Sequence, residues 1–170
     1  MDNGSTDNTR NVVSSFTHVG NIRYIHEPVI GLSHARNTGW QNAATPYVAY
    51  LDDDASASPT WLGKILQVFE TTHPKPGCVG GRVTPIWEAP RPAWLGDKIV
   101  CCLTVVDWSD IPHVLENLNS EWLAGANLAF PRKVLDRLNG FTPYLDRAGT
   151  RLLSSGDVFL EKEKIGRAHV

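Results

Sequence analysis

Apolar and polar positions along this chain switch between two periods, and the switches mark out strands followed by helices. The run Tyr47-Val48-Ala49-Tyr50-Leu51 is aromatic and aliphatic with no polar interruption, which predicts a central strand buried on both faces. Positions 61–70 recur at helical spacing and predict an amphipathic helix with Leu62, Ile65, Leu66 and Phe69 toward the core. Upstream, Ser5 or Thr6 suits the N-cap of a helix carrying Val12, Val13 and Phe16 on one face, and Ile22-Arg23-Tyr24-Ile25 reads as a short strand. Gly31-Leu32-Ser33 leads into a helix through Ala35, Arg36, Trp40 and Ala43, which Pro46 closes. Downstream, 78–83 and 122–130 are strand candidates, and a helix over 131–138 has proline in its first turn and Gly140 as its C-cap. Ser154-Ser155-Gly156-Asp157 is a capping sequence ahead of a last helix at 158–164. Strands and helices alternate, which predicts an α/β layer around a largely parallel sheet.

The pattern fails between 84 and 120. Pro85, Pro90, Pro92 and Pro112 interrupt every window there, while Trp87, Trp94 and Trp108 lie among them. A long loop in a compact domain is usually functional, and indoles are poor choices for a solvated linker.

Composition narrows the class. The 170 residues are 42% hydrophobic and 20% charged, which suits one soluble globular domain or part of a larger one. A net charge of -2 with scattered Lys and Arg gives no footprint for nucleic acid. Cys78, Cys101 and Cys102 are odd in number and match neither a disulfide framework nor a zinc spacing, so a reducing compartment is the simpler reading. No apolar run approaches the about 18 residues of a membrane span.

Candidate chemistry begins where the first strand ends, in Asp52-Asp53-Asp54. Three adjacent carboxylates repel one another, and a hard divalent cation would offset that repulsion. One or two carboxylates plus substrate phosphates is a common way to hold Mg²⁺. Alternation along an extended backbone would send Asp52 and Asp54 to one side and Asp53 to the other. A solvated acidic turn would look the same in sequence.

Five segments in order carry a resemblance. Asp2-Asn3-Gly4-Ser5-Thr6-Asp7, Gly31-Leu32-Ser33-His34-Ala35-Arg36-Asn37, Leu51-Asp52-Asp53-Asp54, Gly125-Ala126-Asn127, and Gly140-Phe141 followed by Gly156-Asp157 together resemble the inverting family 2 glycosyltransferases. That resemblance implies a GT-A-like fold, a doubly wound, mostly parallel α/β domain that binds a nucleotide-diphosphate sugar, here incomplete and covering 1–164. It also implies roles. Asp2 would approach the nucleotide base, Arg36 the base or diphosphate, and Asp52 the ribose. Asp54 would hold Mg²⁺ or Mn²⁺. Asn127 would approach the transferred sugar or the acceptor, with Trp94 and Trp108 as an acceptor platform in the 84–120 loop, and Asp157 would be the catalytic base. The implied partners are a nucleotide-diphosphate sugar and a saccharide or lipid-linked saccharide acceptor. The implied setting is cell-surface or extracellular glycan assembly from the cytoplasm, peripheral to the inner face of the plasma membrane.

Each of these residues also has a plain structural alternative: Asp2 a turn former, Arg36 a surface helix residue, Asp157 a helix cap, and the tryptophans core fillers. His34 and His113 have no partner at metal-ligand spacing and are taken as structural or surface residues. Gly156 stands where the family usually has Glu, and no Gln-x-x-Arg-Trp signature is present, which favours a non-processive enzyme. Nucleotidyl transfer and a non-catalytic carbohydrate-binding relative are the alternative functions. The polar opening at Asp2-Asn3-Gly4 lacks the strand, turn and helix with which the family begins. Ile165 to Val170 back-translates to ATCGGAAGAGCACACGTC, which resembles a sequencing-adapter read. The chain is therefore expected to be an internal fragment with a foreign tail at 165–170, inactive and poorly folded by itself.

Overall fold

The computed structural model describes residues 1–100, 103–107, 109–115, 121–145 and 168–169. They fall into two compact units, Met1–Thr45 with Leu135–Gly156 and Pro46–Val134 with Asp157–Val170.

The first unit holds α1 (Thr9–Ser15), α2 (Leu32–Gln41) and a 3-10 turn at Pro143–Leu145. Helix α1 starts later than the cap at Ser5 or Thr6 would have it. Asp7 accepts from the Thr9 amide at 3.0 Å and Asn8 takes the cap position. None of its residues is buried, and Val12 and Phe16 are half exposed. The expected strand at 22–25 does not form. The segment instead makes one parallel bridge, Asp2 with His26, in which the Asp2 amide donates to Ile25 O at 2.9 Å and the Glu27 amide to Asp2 O at 2.8 Å. Asn3 ties the same turn together, its Nδ2 donating to Glu27 O and Val29 O and its Oδ1 accepting from the Gly31 amide.

The second unit holds a five-stranded sheet ordered β1-β4-β2-β5-β3, with β1 at Tyr47–Leu51, β2 at Cys78–Gly80, β3 at Val114–Leu115, β4 at Asn127–Pro131 and β5 at Ala168–His169. Only β2 with β5 is parallel, and the other three pairings are antiparallel. The expected parallel layer is therefore not what the described strands build. β4 covers β1 along its whole length, from Tyr47 opposite Pro131 to Leu51 opposite Asn127. Strand-helix alternation cannot reveal a partner so remote in sequence. The doubly buried strand is also β4 rather than β1: Leu128, Ala129 and Phe130 are inaccessible, whereas Val48 alone is buried in β1. Among the described strands β4 is flanked by β1 and β2 and carries Ala129 in the cluster under the helix at 61–71, whereas β1 ends the row.

Helix α3 (Trp61–Thr71) packs on this sheet. Ile65 and Phe69 join Val79 of β2 and Ala129 of β4 in one cluster, with Trp61, Val68, Tyr47 and Ala49 against it. Leu62 and Leu66, expected on the core face, are 54% and 40% exposed. The buried stripe is 61, 65, 68 and 69, rotated about one position from the predicted face. Lys75 Nζ ends the helix by donating to Phe69 O and Glu70 O at 2.8 and 2.7 Å. The short α4 (Asp97–Val100) lies in the 84–120 loop, and α5 (Arg132–Leu138) follows β4 directly. None of the described helices is long and apolar enough to cross a membrane. The final helix at 158–164, Cys101 and Cys102 lie outside the described residues.

Candidate functional site

In the second unit the acids follow β1 without a gap. The strand ends at Leu51, and the Ala55 amide donates to Asp52 O at 3.1 Å, closing a turn with Asp53 and Asp54 at its centre. Strand alternation therefore stops before the acids, and it does not divide them between two faces. All three are exposed. Carboxylate oxygens at a solvent-facing turn are a hard donor set that suits Mg²⁺ or Mn²⁺. No group of three or more His, Cys, Asp or Glu is arranged as a metal cage among the described residues. A cation at Asp54 would thus take the rest of its shell from water or from a ligand, as Mg²⁺ commonly does.

Register places Asn127 at this tip. Its Cα partner across the ladder is Leu51, the residue before Asp52. The Asn127 amide is held from two directions: Trp61 Nε1 donates to its Oδ1 at 2.9 Å, and its Nδ2 donates to Arg82 O at 3.3 Å. Gly80 and Gly81 make this approach possible. A Cβ on Gly81 would stand 2.9 Å from Asn127 Nδ2, and one on Gly80 3.0 Å from Asn127 O. Asp52, Asp54 and Asn127 are therefore gathered at one end of the sheet. The role of Trp61 was not visible in sequence, where its spacing marked it only as the start of a helix.

In the same unit, Trp94 is 75% exposed and does not fill a core. Described parts of the 84–120 loop are nonetheless tied down, because Arg82 pairs with both Asp107 and Asp110 and Arg91 with Asp97. Val83 also bridges Val106. Trp108 and Asp157 lie outside the described residues.

The first unit carries Asp2 in a pocket of about 560 Å³ lined by Asp2, Ser5, Asp7, Arg10, Tyr24 and His26. Asp2 is itself only 6% exposed. Tyr24 Oη donates to its Oδ2, and the Ser5 amide donates to its Oδ1 at 2.9 Å. The Tyr24 hydroxyl first, and then the Ser5 hydroxyl and amide, stabilise the anion and lower the Asp2 carboxyl from 3.8 to about 2. Arg36 lies elsewhere in this unit. It is 6% exposed with its guanidinium 5.2 Å from the Phe141 ring centre, so it is not the surface residue that its helix position allowed. Tyr24 and His26 escaped the sequence reading because a bridge between positions 24 residues apart brings them to Asp2, where Arg10 of α1 also lines the pocket. The period-2 spacing of Tyr24 and His26 was the one available signal.

The lowered carboxyl has a pH signature. Below about pH 4 the unfolded chain takes up the Asp2 proton before the folded chain does, since its carboxyl titrates near 3.8 and the folded one near 2. The stabilisation is complete above that window, declines as pH falls through it, and is gone below about 2. Urea midpoints of the native chain and Asp2→Asn should therefore converge as pH drops from 5 to about 2. A constant gap would exclude the linkage.

Comparison with known proteins gives a consistent picture. Residues 1–137 match the family model described as Glycosyl transferase family 2. A glucosyl-dolichyl phosphate glucuronosyltransferase of Haloferax volcanii is 28% identical over 121 residues, 71% of this chain and 37% of that protein. A validoxylamine A glucosyltransferase of Streptomyces hygroscopicus is 37% identical over 38% of this chain and 16% of its own length. The succinoglycan biosynthesis protein ExoM of Rhizobium meliloti is 34% identical over 44% of this chain and 23% of its own. The chain spans 37% or less of the length of these curated relatives.

Proposed function

Because the chain belongs to glycosyl transferase family 2, we propose that the protein it represents moves a sugar from a nucleotide-diphosphate donor to an acceptor hydroxyl with inversion. The family implies the GT-A nucleotide-sugar transferase fold, and the mixed α/β arrangement with its small sheet is consistent with an incomplete domain of that kind. Membership also sets nucleotidyl transfer aside. The observation that carries the reading is the exposed Asp52-Asp53-Asp54 turn at the tip of β1, with Asn127 opposite the last strand residue.

In this reading Asp54 holds Mg²⁺ or Mn²⁺ and Asp52 faces the ribose. The cation would offset the charge of the departing diphosphate. Asp2 accepts from the nucleotide base, and Arg36 supports the nucleotide side through its packing. Asn127 orients the transferred sugar or the acceptor. Asp157 takes the proton from the acceptor hydroxyl as its oxygen attacks the anomeric carbon. The bond from that carbon to the diphosphate oxygen breaks, and the nucleotide diphosphate leaves as the anion. Trp94 and Trp108 offer the acceptor stacking surfaces. A hexosyl donor, a saccharide or lipid-linked saccharide acceptor and a role in glycan assembly are supported by the glucosyl-dolichyl phosphate glucuronosyltransferase and the succinoglycan biosynthesis protein among the relatives. A cytoplasmic position, peripheral to the inner face of the plasma membrane, accompanies that role. These are properties of the whole protein.

Titration of the chain with uridine or guanosine diphosphate tests the reading calorimetrically. Binding should strengthen by about tenfold or more with Mn²⁺, and Asp54→Ala should abolish that gain. Equal affinity with and without Mn²⁺ would refute the cation site.

A further inference from the structure

The Asp2 carboxylate is held from both sides by its neighbours. The Ser5 amide donates to Oδ1 and the Tyr24 hydroxyl to Oδ2, and the Ser5 hydroxyl bonds the carboxylate as well, which still leaves it capacity for a further donor. Two donors on different oxygens fix the plane of the carboxylate and the direction of the lone pairs that remain. The backbone around it is fixed as well, since Asp2 is bonded to Ile25 and Glu27, on the segment that carries Tyr24. The Tyr24 ring is oriented in turn from α1, where the Arg10 guanidinium stands over it at 5.7 Å. All of these groups except the Ile25 and Glu27 backbone line the same pocket.

We propose that Tyr24 is a positioning residue, whose hydroxyl holds the Asp2 carboxylate as a fixed acceptor for the ring N–H of a nucleotide base. The inference rests on the reading that Asp2 contacts the base. Two features support it. Tyr24 is half-buried, so its hydroxyl could be hydrated, yet it is turned onto a carboxylate that is almost fully buried. The same bond restrains Oδ2 of a carboxylate that, being ionised, can only accept. Uracil and guanine each carry a ring N–H, so their diphosphates are the appropriate probes.

A double-mutant cycle separates this role from packing. Affinities of the full chain for uridine diphosphate and guanosine diphosphate are measured for the native sequence, Asp2→Asn, Tyr24→Phe and the double variant, with a urea titration of each. Tyr24→Phe keeps the ring and its contact with Arg10 while removing only the hydroxyl. Asp2→Asn should weaken the better nucleotide by about tenfold or more, and Tyr24→Phe by about fivefold in the native background but under about twofold beside Asp2→Asn. Equal losses in both backgrounds, or no loss from Tyr24→Phe, would overturn the positioning role while leaving the nucleotide site standing. Loss of cooperative unfolding in Tyr24→Phe would overturn it in favour of a folding role. If neither nucleotide binds, or Asp2→Asn binds as the native chain does, the base contact and the inference fall together.

Discussion

Phe69→Ala is expected to lower the unfolding free energy by about 3–5 kcal/mol, read as a fall in the urea midpoint. Phe69 is 1% exposed and joins α3, β2 and β4 through Ile65, Val79 and Ala129. Its ring also stacks on Tyr47 of β1 at a centroid distance of 4.6 Å and an interplanar angle of 16°. Truncation removes the transfer free energy of the ring and leaves a cavity. The strands around it are hydrogen-bonded to one another and cannot collapse to fill it. Leu66→Ala, on the same helix but 40% exposed, should cost about 1 kcal/mol or less. Similar losses for the two would mean that the buried stripe of α3 is not the one described. The result bears on function because α3 carries Trp61, which holds the Asn127 amide beside the acidic turn.

A comparable loss, about 3 kcal/mol, is expected for Gly140→Ala in the other unit. Helix α5 ends in a Schellman motif: the Gly140 amide donates to Leu135 O at 3.0 Å and the Asn139 amide to Asp136 O at 3.3 Å. Asn139 and Gly140 both have positive φ, +57° and +67°. The left-handed conformation alone costs an L-residue about 1 kcal/mol relative to glycine. Space is the larger obstacle. An added Cβ would fall 2.3 Å from Asn37 Oδ1 and 2.6 Å from Trp40 Nε1. Asn37 cannot simply move aside, because its Oδ1 accepts from the Phe141 amide and its Nδ2 donates to Phe141 O, both at 2.8 Å. Displacing it gives up bonds worth about 1 kcal/mol each. Gly63→Ala is the opposite case. Gly63 is an exposed position inside α3 where a Cβ would meet nothing within 4 Å, and the change should stabilise by about 0.5–1 kcal/mol. A mild Gly140→Ala would show that the junction between α5 and the following loop is not held as described.

What could be read from the residues in order was local. The helix after Gly31, the helix near 61–70, the strand before the acids and the helix after β4 all lie close to where their patterns place them. Proline, glycine and apolar spacing act within a few residues, so a linear reading captures them. Five short motifs in order were also enough to indicate the family that the match over 1–137 then showed.

Pairing was not legible in the same way. Which strand lies beside β1, in which direction, and which strand is therefore doubly buried depended on β4, some 76 residues from the matching position in β1 (Leu51 to Asn127, 127 − 51). The same limit applied to Tyr24 beneath Asp2 and to Trp61 on Asn127, whose indole and hydroxyl donors meet acceptors 66 and 22 residues away. Sequence by itself determined the helices α2, α3 and α5, the strand before the acids, the acidic turn and the family. Tertiary structure alone decided the antiparallel neighbour of β1, the buried stripe of α3 and the donors that fix Asp2 and Asn127. Periodicity reports only that a face must be covered, whereas hydrogen-bond geometry across the fold decides by what.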